Sequence, residues 1–86
     1  MNVTKLESFL ATVDCGSVSG AALMLRIGQP AVSKHLNGLE KELGVSLFVK
    51  SSKRTIFSPE GAKVLKMART VITAIHKLRV EIAKSS

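Results

Sequence analysis

Tryptophan and tyrosine are absent from this 86-residue chain, and phenylalanine occurs only three times. With so few large side chains the chain forms one small domain at most, burying about 60 to 70% of the surface its unfolded chain exposes. A large substrate cavity is not expected. The single cysteine, Cys15, has no partner for an internal disulfide, so the chain reads as intracellular and cytoplasmic. No run of about 18 apolar residues occurs, and the start MNVTKLESF lacks the basic-then-apolar order of a signal peptide. Aspartate also occurs once. A Ser/His/Asp set would need Asp14 with His35 or His76, and none of these stands in a nucleophile-elbow or Gly-rich context. Cys15, His35 and His76 lack metal-ligand spacing, and the glycines form neither a phosphate loop nor a dinucleotide fingerprint. No enzyme, cofactor or metal is expected.

What the chain does have is positive charge, placed unevenly. Residues 1–45 carry Lys5, Arg26, Lys34 and Lys41 against Glu7, Asp14, Glu40 and Glu42, and are neutral. Residues 46–86 carry nine Lys or Arg against Glu60 and Glu81, so the whole net charge of +7 lies there. A basic half joined to a neutral half suits a polyanion contacted from one side; a solvated basic face has the same composition. Apolar residues at 45% and a mean hydropathy of +0.25 are high for so short a chain. They point to a second buried surface shared with a partner subunit.

Periodicity supplies the elements. In TKLESFLATVDCG, Thr4 is the expected cap, Leu6, Phe9, Leu10 and Val13 recur at helical spacing, and Gly16 is the stop. Cys15, in the last turn, is expected as a half-buried filler. A short second helix follows in SVSGAALMLR, capped by Ser17 or Ser19, with Ala21, Ala22 and Leu25 available to pack inward. A third, in RIGQPAVSKHLNGLEKELG, carries Val32, Leu36, Leu39 and Leu43 in a narrow stripe. Opposite the stripe lie Pro30, Lys34, Asn37 and Lys41, with Gln29 and Ser33 flanking the first turn. Pro30 is a start signal here, because a proline at the first helical position loses an N–H that would have been unpaired anyway.

After Gly44, VSLFVK and TIFS predict two short strands around SSKR, a hairpin carrying Lys50, Lys53 and Arg54. Ser58, Pro59 and Glu60 then start a helix expected to run to Ala83, about 37 Å long. Along it Val64, Ala68, Val71, Ile75, Leu78 and Ile82 alternate steps of four and three, an a/d seam. Such a rod cannot bury its whole seam on three short helices, so homodimerisation through it is the economical reading.

Three short helices, a basic hairpin and a long helix assemble as a mainly α winged helix-turn-helix (residues 1–58) with a dimerisation helix (59–86). Its third helix is the candidate recognition helix. Gln29 can bond the adenine N6/N7 edge, Pro30 can meet a thymine methyl, Ser33 can donate or accept, and Lys34 reaches guanine acceptors or a phosphate. Lys50, Lys53 and Arg54 would contact phosphates or the minor groove, which positions the domain more than it specifies sequence. For each of them solubility alone is the plainer alternative. His35 is expected at the flank of this helix, as a boundary or phosphate-contacting residue.

The marks G-S-x-[ST]-x-A-A-x-x-L at 16–25, Q-P-A-V-S at 29–33, L-x-x-L-E-x-x-L-G at 36–44, L-F at 47–48 and G at 61 stand in register without a gap. Together they resemble the N-terminal DNA-binding region of LysR-type transcriptional regulators. The resemblance implies a winged helix-turn-helix whose long linker helix pairs antiparallel with a second subunit's. It implies sequence-specific binding of double-stranded DNA on an inverted repeat, with Gln29, Pro30, Ser33 and Lys34 at the recognition positions and Lys50 and Lys53 where arginines are usual.

The departures are Gly28 in place of a Ser or Thr cap, Lys for Arg at 34, 50 and 53, and apolar Leu23 and Met24 in place of polar residues. Lysine offers a point charge instead of a planar fork, which loosens base discrimination. Gly38, inside the third helix, costs about 1 kcal/mol against Ala and has no local explanation. Regulators of this kind continue into a larger effector-binding domain. A small-molecule effector and a tetramer are therefore expected only if such a domain follows, and the chain is either an excised domain or a short regulator. An interaction module using the seam and the Leu23/Met24 patch is the alternative. A membrane-surface reading of the last helix fails on its narrow apolar seam and lack of aromatics.

Overall fold

The computed structural model describes residues 1–49 and 56–85. The order is α1 (Val3–Cys15), α2 (Val18–Leu25), α3 (Gln29–Leu43), β1 (Phe48–Val49), β2 (Ile56–Phe57) and α4 (Pro59–Ser85). This is the expected architecture. β1 and β2 are antiparallel, with Phe48 opposite Phe57 and Val49 opposite Ile56. Lys50, Lys53 and Arg54 lie outside the described residues.

Capping explains the boundaries. Asn2, not Thr4, caps α1: its Oδ1 accepts the Lys5 N–H at 2.9 Å, and a cap two residues earlier leaves Thr4 inside the helix. Gly16 closes α1 in the left-handed region at φ 76°, where glycine has no Cβ penalty. Ser17 caps α2 by accepting the Gly20 N–H at 3.0 Å. Gly20 lets the end of α1 come close, because a Cβ there would lie 2.9 Å from Cys15 Cβ. Cys15 itself is exposed, contrary to expectation. Its thiol points across the corner at Met24, with Sγ 3.5 Å from Sδ.

The core lies where α1, α2, α3 and the start of α4 meet. Phe9, Val32, Leu39 and Leu47 have no exposed surface, and Leu6, Leu36, Ala21, Ala22 and Ala68 are buried around them. Burying one such large side chain is worth about 1.5–3 kcal/mol, so the three inward residues of α3 alone outweigh the cost of its internal glycine. Phe9 also meets Phe48 with ring centroids 5.6 Å apart and tilted by 49°, joining the helices to the wing.

Among the described residues the pairing begins only at Phe48, because Leu47 uses its backbone elsewhere. Its N–H donates to Glu40 Oε2 at 2.7 Å, and its carbonyl accepts the Ser58 N–H at 2.8 Å. Ser58 Oγ donates to the Ser46 carbonyl at 2.6 Å and accepts the Gly61 N–H at 3.0 Å, capping α4 as expected. A Cβ on Gly61 would overlap the Leu47 carbonyl and stand 2.9 Å from Phe57 Cβ. Only glycine fits there.

Beyond this junction α4 is divided. Val64, Leu65, Ala68 and Ile72 pack on the core, and Arg69 pairs with Asp14 at 2.5 Å, a contact that raises the guanidinium pKa. Residues 76–85 are all exposed. Gly61→Ala is expected to destabilise the fold by about 1–3 kcal/mol, as overpacking does. A melting curve would read roughly 4–8 °C lower per kcal/mol; an unchanged Tm would mean that α4 does not start against Leu47.

Candidate nucleic-acid interface

The first turn of α3 is bare. Gln29, Pro30, Ser33 and Lys34 are all exposed, and Asn37 and Lys41 continue the same face. Behind them Val32, Leu36 and Leu39 are buried. The stripe leaves α3 no other way to face, so the polar residues point out by exclusion. The N-cap is Gly28, which has no side chain, and the N–H groups of Ala31 and Val32 both go to its carbonyl at 3.1 and 3.3 Å. The first turn holds no acidic residue. The positive end of the helix dipole therefore stands at an open tip with nothing to neutralise it, a site suited to an anion.

The back of α3 is tied to α1 by polar contacts that the sequence reading missed. His35 is half-buried, and its Nδ1 lies 2.7 Å from Oγ of the fully buried Ser8. His35 is thus a boundary residue with its Nδ1 engaged inward. One turn further along α3, Lys5 passes over Gly38 to pair with Glu42. A Cβ on Gly38 would lie 3.1 Å from both Cε and Nζ of Lys5. This explains the internal glycine: the close approach it permits is to a side chain. Glu42 also pairs with the Met1 amino group. Its carboxyl is held below the ordinary glutamate range, first by the hydrogen bond from Lys5 and then by that from the terminal amine. The available signal was a matched spacing, with Lys5 and Ser8 three apart on one helix and His35, Gly38 and Glu42 at steps of three and four on the other.

Of the six seam residues, Val64 and Ala68 rest on the chain's own core, Ile75 is half-buried, and Val71, Leu78 and Ile82 are exposed. Met1, Leu6, Leu43, Val64, Met67, Ala68 and Val71 line an apolar groove of about 250 Å³ between α1, the end of α3 and α4. Leu23 is 82% and Met24 60% exposed on α2. Among the described residues, no three His, Cys, Asp or Glu side chains gather to hold a metal, and no single helix is long and apolar enough to cross a membrane.

Residues 3–62 match the family described as "Bacterial regulatory helix-turn-helix protein, lysR family". Over 77 residues the chain is 36% identical to the HTH-type transcriptional regulator MetR of Escherichia coli (strain K12), covering 90% of this chain and 24% of that protein. It is 33% identical over 93 residues to PtxE of Stutzerimonas stutzeri, a putative HTH-type transcriptional regulator, covering 100% of this chain and 47% of that one. Among solved structures, the BenM DNA-binding domain in complex with benA site 1 DNA superposes with a TM-score of 0.93 at 28% identity, each chain fully covered. A full-length OxyR from Pseudomonas aeruginosa gives 0.91 at 27% identity, covering all of this chain and 29% of that one. The chain spans about a quarter of the length of MetR and of the full-length OxyR.

The left-handed residue that ends α2 is not a glycine. Arg26 closes α2 at φ 58°, and its N–H and that of Ile27 return to the carbonyls of Leu23 and Ala22. A side chain in the left-handed region costs about 1–2 kcal/mol, and glycine is the usual residue at such a helix end. Arg26→Gly is therefore expected to raise stability slightly, by about 1 kcal/mol or less once the looser unfolded chain is counted. Thermal unfolding checks the sign, and a lower Tm would show that the arginine side chain contributes more than its backbone strain costs.

Proposed function

We propose, from the premise that this chain belongs to the lysR family of bacterial regulatory helix-turn-helix proteins, that it binds double-stranded DNA sequence-specifically, as the DNA-binding part of a transcriptional regulator. The observation that carries the reading is the open first turn of α3, polar, free of acidic residues and backed by a buried stripe. The similarity to a BenM domain solved on DNA supports it. In this reading α3 enters the major groove. Gln29 reads adenine, Pro30 meets a methyl group, and Ser33 and Lys34 bond base edges or a phosphate. Lys50, Lys53 and Arg54 hold the flanking backbone or minor groove.

The labour divides at residue 58, with the elements before it facing DNA and α4 facing a second copy. An antiparallel two-fold pairing centred between Val71 and Ile75 sets the partner's Leu78 opposite Ala68 and the partner's Ile82 opposite Val64. The bare half of each α4 then covers the apolar groove that Val64, Met67, Ala68 and Val71 line on the other copy. Two recognition helices related this way face major grooves about 34–36 Å apart, or a multiple of that, so the site is an interrupted inverted repeat.

Two measurements test this. Gln29→Ala is expected to lose about 1–3 kcal/mol on the selected site and little on random duplex, whereas Lys53→Ala weakens both and reduces the log-log salt slope by about 0.9. Equal losses for the two variants would remove base reading from α3. In sedimentation, Leu78→Lys should yield monomers that no longer bind the inverted repeat tightly; an intact dimer would place the interface elsewhere.

A further inference from the structure

The leucine stripe keeps α3 against the core, but apolar contact is non-directional and leaves the roll of the helix about its own axis loosely set. Hydrogen bonds are directional. Those between α1 and α3 are spaced as antiparallel neighbours require: Lys5 lies over Gly38, and Ser8, three residues on, meets His35, three residues back. Roll matters to a reading helix. Side-chain tips stand about 5–6 Å from the axis, so a roll of about 20° displaces them by roughly 2 Å. Specific contacts tolerate about 0.5 Å and 10–20°.

We propose that these contacts, Ser8 with His35 and Lys5 across Gly38 with Glu42, set the roll of α3, making Ser8 and Gly38 positioning residues for base discrimination although neither touches a base. Ser8 has no exposed surface and Gly38 has no side chain. The Lys5–Glu42 pair is partly exposed, and such pairs add little stability, so its contribution is direction. Gly38 then has a reason to be there despite its poor helix propensity: a methyl group at that position stands 3.1 Å from Lys5 Cε and Nζ, so Lys5 must shift by a few tenths of an ångström on its way to Glu42. The inference rests on α3 being the reading helix.

The test uses the whole chain and two duplexes, one selected by the native chain from a randomised pool and one of random sequence. Ser8→Ala, Gly38→Ala and Gln29→Ala are compared with native for affinity to each, salt slope and Tm. Both positioning variants are expected to lose about five- to tenfold of the preference for the selected duplex, a loss near the lower end of what one bidentate contact discriminates. Their affinity for the random duplex and their salt slopes should hold. Gly38→Ala should melt no lower than native, because alanine is the better helix former; a role limited to stability predicts no loss of preference in such a variant. Preference within about twofold of native in both variants, with Gln29→Ala losing it, overturns the positioning role and leaves base reading by α3 standing. Parallel losses on both duplexes together with a lower Tm also overturn it. Preference that survives Gln29→Ala removes base reading by α3, and the positioning role with it.

Discussion

Everything outward-facing in this domain depends on one inward contact, the stripe of Val32, Leu36 and Leu39 buried against Phe9 and its neighbours. Burial supplies the energy, and because the stripe is narrow it also divides α3 into a face that water never reaches and a face that only a partner or solvent can reach. The exposed Gln29, Pro30, Ser33 and Lys34 are therefore a product of packing as much as of their own polarity. Phe9 extends the same contact to Phe48, so β1 is referenced to the helices that carry this exposed face.

Directional contacts refine what burial only roughly places. Ser8 with His35, Lys5 with Glu42, and Arg69 with Asp14 each join α1 to another helix. Two of the three are partly exposed ion pairs that contribute little to stability. Their value lies in geometry, and α1 acts as the frame to which both α3 and α4 are indexed.

Local signals in the sequence were legible, and those that depend on distant residues were not. The α3 stripe, the Gly16 and Gly44 stops and the Ser58–Pro59 start follow from spacing and backbone chemistry within a few residues. Gly38 resisted because its explanation, Lys5, lies on another helix. Heptad spacing marked Val64 and Ala68 as seam residues, but spacing cannot distinguish a chain's own core from a partner's surface; both positions pack on their own domain. The same spacing does not say which residues near a helix end will be covered, so Cys15, expected half-buried, is exposed. At the start of α1 two neighbouring residues, Asn2 and Thr4, both have capping side chains, and composition alone does not choose between them. The wing residues Lys50, Lys53 and Arg54 rest on composition and resemblance alone.

The junction at Gly61 gives α4 a mechanical character. A helix of 27 residues reaches about 40 Å, and its first turn is clamped to the Leu47 carbonyl by Ser58 and by a contact with no room for even a methyl group. A joint that tight has no slack. Any load applied to the free half, by a second copy or by a domain attached beyond it, reaches β1 and α1 as rotation of the whole lever instead of being absorbed in a flexible elbow. The long helix is thus a stiff handle on the three-helix head, and turning the handle turns the head.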